Sequence, residues 1–158
     1  MHSKIFQITK EKLSKEEYIT ENTFYDHLPE GADYVQNLSK EEAEACLSWV
    51  DEMLKGIFTR KGRELTFIGV ETFIGEWVEK IKESANALTV ENMKDSLTLF
   101  RHKMLCERTH KDVWFLVYQG ADGEEYADFF ADFIWYLHAT EVKKGTKFYI
   151  GGIVDYHF

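Results

Sequence analysis

The sequence predicts an α+β fold: a small sheet of about four strands packed against about four helices as a single pair of layers. Three observations carry this. The apolar patterning runs β-α-β-α-α-β-α-β, and the two consecutive helices in the middle break simple strand–helix alternation. The chain is 44% hydrophobic and 15% aromatic, enough for a substantial core and too much for wholesale disorder. One proline and ten glycines leave few candidate linkers, so 158 residues read as a single globular domain spanning 1–158.

Residues 4–9 (KIFQIT) are β-branched and aromatic and predict a first strand. Residues 11–34 are polar with scattered aromatics and read as loop or short helical turns. Ser39 followed by Glu42 forms a capping box. The helix it opens carries Ala43, Cys46, Leu47, Val50, Leu54 and Ile57 on one face. Gly56 ends it, or Gly62 does if it runs on to Arg60. Residues 64–70 (ELTFIGV) favour strand, through Thr66, Phe67 and Ile68 and the helix-breaking Gly69. A helix follows on Phe73, Ile74, Trp77, Ile81 and Ala85. Thr89 is a fitting cap for the next, whose expected core stripe is Val90, Met93, Leu97, Phe100 and Met104.

Residues 113–119 (VWFLVYQ) are apolar nearly throughout, which predicts a central strand covered on both faces. The segment 124–140 then repeats Tyr126, Phe129, Phe130, Phe133, Ile134 and Leu137 at spacings of three and four, a helix whose Phe-rich face covers that strand. A last strand is expected over 147–158, with Gly151-Gly152 marking a bulge or bend.

The formal charge is -9. Residues 11–54 hold twelve acids against three lysines, and 112–142 hold seven acids and no lysine or arginine. Such a balance disfavours direct nucleic-acid binding, which needs a broad basic surface. It suits a basic partner or simple solubility. The basic run at 101–111 has an ordinary explanation at a helix C-terminus. No stretch approaches the ~20 apolar residues of a membrane span, and no signal-peptide pattern opens the chain. Cys46 and Cys106 read as reduced, buried thiols of a cytoplasmic protein.

Candidate chemistry is sparse. His102, Cys106 and His110 recur every four residues, yet ligands eight apart on a helix lie ~12 Å apart along its axis and cannot share one zinc. At most one such pair could bind metal, with help from elsewhere. His27, beside Asp26 and near Glu30 and Asp33, could act as a general base, though no nucleophile accompanies it; a turn with solvated acids is the simpler reading. Asp155 and His157 share one face of the last strand, where polar residues also serve edge protection. No phosphate loop, nucleophile elbow or paired cysteine motif occurs, and no cofactor or metal is expected.

The most informative residue is Trp135. On the 124–140 helix it falls inside the acidic stripe of Glu124, Asp128 and Asp132, opposite the Phe-rich face. Either another part of the chain covers it, or it is an interface anchor, since tryptophan dominates binding hot spots. With Trp135, Asp128, Asp132 and His27 as candidate binding residues, the sequence predicts a non-enzymatic interaction or regulatory protein that binds a basic protein partner or self-associates. The alternative is a small-molecule binding protein or enzyme with an aromatic-lined pocket, to which His27, Tyr25 or His138 would supply polar groups.

Overall fold

The computed structural model describes residues 2–24, 28, 32–107, 115–119 and 130–157. Among these residues the architecture is α+β: a mixed six-stranded sheet with four α-helices. The strands are β1 (His2–Thr9), β2 (Tyr34–Asn37), β3 (Phe58–Lys61), β4 (Glu64–Phe67), β5 (Phe115–Gln119) and β6 (Lys147–His157). The helices are α1 (Lys40–Met53), α2 (Glu71–Asn86), α3 (Ser96–Glu107) and α4 (Phe130–Ala139). Short 3-10 turns occupy Lys15–Glu17, Glu21–Phe24 and Asn92–Lys94.

The sheet runs β3-β4-β6-β1-β5. Along one side β6 pairs antiparallel with β1; β2 and β4 divide its other side between them. The β1–β5 pair is parallel. Between Phe6 and Ile8 the register shifts, so that Gly151 and Gly152 both lie opposite Gln7. This is the bulge that the glycine pair predicts. It has a packing purpose. A Cβ on Gly151 would strike the Gln7 amide, and one on Gly152 would strike the Ile19 backbone. Gln7 is buried. Its Oε1 accepts from the Ile19 N–H (3.1 Å) and the Gly152 N–H (2.9 Å), and its Nε2 donates to the Glu17 carbonyl (3.1 Å). One glutamine thus fastens the 11–24 segment flat against the sheet.

Two apolar clusters follow from strand alternation. Phe6, Ile8, Leu65, Phe67, Phe148 and Ile150 point to the helical side, where Leu47 and Val50 of α1, Phe73 of α2 and Phe133, Ile134 and Leu137 of α4 meet them. Phe133 stacks on Phe58 at 6.0 Å and meets Phe148 edge-on at 6.4 Å. On the opposite face Ile5, Val154 and Tyr156 are covered by Ile19 and Phe24.

The capping box of α1 is formed: Ser39 Oγ accepts from Glu42 N at 3.2 Å, and the Glu42 carboxylate accepts from Ser39 N at 2.9 Å. Gly56, at φ +82°, turns the chain out of α1. The helix therefore does not reach Arg60, which instead sits in β3 and clamps Asp51 of α1 with two hydrogen bonds of 2.7 and 2.5 Å. Of the strand expected over 64–70, Glu64–Phe67 forms and Ile68 and Gly69 lie beyond its end.

Four expectations need correction. The segment Tyr34–Asn37, which begins where the expected loop over 11–34 ends, is a strand held by β6. The 113–119 run gives β5, which pairs only with β1 among the described residues and so lies at the end of the sheet, not its centre. The centre belongs to β6, whose polar residues suggested an edge. The expected core stripe around α3 is exposed: Val90, Met93, Leu97 and Phe100 all face outward. The apolar residues of α3 are scattered around its circumference, and it leans on α2, where Trp77 Nε1 donates to the Leu105 carbonyl at 2.8 Å. No described helix is long and apolar enough to cross a membrane.

Candidate functional site

Trp135 stands on the outer side of α4. Its neighbours Phe133, Ile134 and Leu137 are at most 2% exposed, whereas Trp135 is 59% exposed. The helical period explains the contrast: 133, 134 and 137 share the sheet-facing stripe, and 135 falls on the other side. Nothing among the described residues covers the indole. Asp132 belongs to the same helix, three residues earlier, and exposed His138 follows three residues later. Asp128 and His27 lie outside the described residues, as do Tyr25, Trp114 and the 124–129 portion of the expected helix. A second tryptophan, Trp49 on α1, is 48% exposed.

His138 borders an open groove of about 400 Å³ at the C-terminal end of α4, shared with Glu71, Glu141 and Lys144. Lys144 pairs with Glu71 at 3.4 Å, which balances charge there. Phe67 is the one aromatic carbon ring among the described lining residues, short of the aromatic lining that the alternative reading expects.

The structure gathers a polar cluster that the sequence only half indicates. Asp155 is 2% exposed and accepts from Lys4 Nζ, from Gln36 Nε2 at 3.1 Å and from the His2 ring at 2.7 Å. Burial pushes its carboxyl up, but the hydrogen bonds from Lys4 and His2, the Lys4 charge and the Gln36 amide together hold it below the ordinary range. His157 binds Asp33 through Nδ1 at 2.8 Å, stacks on Tyr34, and lies 5.0 Å from the His2 ring centre. His2, Lys4 and Gln36 were missed because each comes from a different neighbour of β6 or a different register position; only alternation in β1, which puts His2 and Lys4 on one face, hints at them. Chemically the cluster is a satisfied charge network joining β1, β2 and β6.

His102 and Cys106 do meet, with Nε2 to Sγ at 3.6 Å, while His110 lies outside the described residues. Ser84 holds the other nitrogen of His102 at 3.0 Å. Among the described residues no three His, Cys, Asp or Glu side chains converge on one point. Cys46 is buried as expected, but Cys106 is exposed, because α3 rests on α2 and not on the sheet.

Compared with protein-family models, with curated proteins and with solved structures, the chain matches none.

Proposed function

We propose that this is an interaction protein that engages a basic protein partner through the outer face of α4. The observation that carries the reading is the 59% exposure of Trp135 on a helix whose other face is fully buried. Leaving a tryptophan in water forgoes about 2–3 kcal/mol of apolar burial, which a partner restores on binding. The chain's charge of -9, and the acids that flank Trp135 in sequence at Asp128 and Asp132, favour a cationic surface opposite it.

The test is a Trp135→Ala variant used as bait beside the wild-type protein, followed by affinity measurement on the captured basic partner. Because the indole touches solvent, the variant should unfold within about 0.5 kcal/mol of wild type. Loss of a hot-spot tryptophan should weaken the partner by about 30-fold. Retention at full affinity, or capture of no basic partner, refutes the reading; sedimentation of both proteins separates self-association from a foreign partner.

A further inference from the structure

On the face of the sheet away from the helices, the 11–24 segment covers β1, β6 and β2 but stops short of the β3–β4 hairpin. The step it leaves is a cavity of about 430 Å³, within the range of small-molecule sites. Tyr149 of β6 lies at its base, Lys12 and Tyr18 of the segment form one wall, and Lys61, Arg63 and Glu64 of the hairpin form the other.

The charges here run against the rest of the chain. Arg63 is fixed in place: Nη1 donates to the Gly151 carbonyl at 2.5 Å, Nη2 donates to Glu44 at 3.0 Å, and the guanidinium lies over the Tyr18 ring at 5.7 Å. Glu64 is engaged by Lys147, which stands on β6 and donates to it at 2.7 Å. Lys12 and Lys61 also act on Glu64 through space, and no hydrogen bond or close ion pair holds either ammonium among the described residues. Three cations, Lys12, Lys61 and Arg63, therefore line the cavity with one carboxylate, Glu64; Glu44 and Lys147 stand behind them as the ion-pair partners of Arg63 and Glu64.

We propose that this cavity binds a small, multiply charged oxyanion, of the phosphate or polycarboxylate class, between Lys12 and Lys61. Both ammonium groups are exposed, and neither is held by a hydrogen bond or close ion pair among the described residues, so an anion gains their charge without first breaking such a contact. The pinned Arg63 retains guanidinium donors beyond the two already used. The remote acids do not defeat binding, since at physiological salt charges beyond ~8 Å are largely screened. The site is independent of the α4 face: its residues come from the other side of the sheet. The sequence conceals it because Lys12 and the turn at 60–63 are far apart in the chain and only the sheet brings them to one cavity.

Calorimetric titration with pyrophosphate and, separately, with citrate tests it. One-site binding of either is expected, and which of the two binds more tightly assigns the class. A Lys12→Gln/Lys61→Gln double variant should bind about tenfold more weakly. A Lys40→Gln/Lys94→Gln double variant, with the same change in net charge away from the cavity, should bind as wild type does. Circular dichroism verifies that both variants fold. Failure of both anions to bind at ~10 mM, or equal weakening by the two double variants, overturns the proposal.

Discussion

Gly152→Ala tests the fastening of the 11–24 segment more sharply than any other single change. The backbone of Gly152 is not in the left-handed region, so alanine meets no dihedral penalty; the cost lies in contact. A methyl there would sit 2.7 Å from Ile19 N and 2.8 Å from Ile19 Cγ1, and closer still to the Ile19 carbonyl oxygen. Two of these three atoms are backbone, which no rotamer change can move aside. The segment must lift, and with it goes the Ile19 N–H that Gln7 accepts. Overpacking costs about 1–3 kcal/mol. Leaving part of a buried amide unsatisfied adds about 1–3 kcal/mol. The sum, about 2–6 kcal/mol, is a large share of an ordinary domain's 5–15 kcal/mol. Urea denaturation measures it, and limited proteolysis should show new cleavage between residues 11 and 24. Gly75→Ala is the matched control: it lies in α2 with no heavy atom within 4 Å of the new methyl, and alanine's helix propensity should stabilise it by about 0.5–1 kcal/mol. If Gly152→Ala unfolds within about 0.5 kcal/mol of wild type and its proteolytic pattern is unchanged, the close approach described here does not exist.

Two further outcomes bear on the polar and sulfur groups. Asp155→Asn leaves Lys4 and His2 facing a neutral amide at a buried position, and should cost about 3 kcal/mol in urea denaturation. Because Asp155 titrates below its unfolded value, its contribution is present above about pH 4 and is lost as pH falls through the lower folded value, so acid titration of wild type should show a stability loss that the Asn variant lacks. With Ellman's reagent one thiol per native chain should react promptly, Cys106, and a second only after denaturation, since Cys46 is buried and its thiol is pushed up by that burial; two fast thiols would contradict the placement of α1.

What the sequence made legible is what depends on local chemistry. The Ser39–Glu42 box, the Gly56 stop and the Phe133/Ile134/Leu137 stripe are each encoded within a few residues of where they act. β2 was not legible, because Gln36 and Asn37 carry no strand signal and the segment exists as a strand only beside β6. The apolar run that became β5 misled for another reason. Apolar content reports cover above and below a strand, while lateral position depends on which neighbours pair with it, and the two are independent. The converse error hid the central position of β6, though not the strand itself: Asp155 and His157 look like edge residues until Lys4, Gln36 and Asp33 are brought to them from elsewhere. For the candidate site, the helical period correctly separated Trp135 from the buried stripe, but whether another segment would cover it was a tertiary question. Cys106 and the α3 stripe failed for a related reason: the apolar residues of α3 lie all round it, so which of them is covered depends on its resting against α2.

The central place of β6 has a kinetic consequence. It is the last of the six strands in sequence order, yet β1, β2 and β4 all pair with it. Gln7 and Gly152, joined by a hydrogen bond, are 145 positions apart. The β3–β4 hairpin is local, but the pairings of β1, β2 and β4 with β6 all wait on long-range closure, whose entropy must be met before those ladders reward it. Refolding should therefore be slow for a chain of this size. During synthesis the first strands must wait with open edges for the one that joins them, the interval in which such chains are most prone to aggregate.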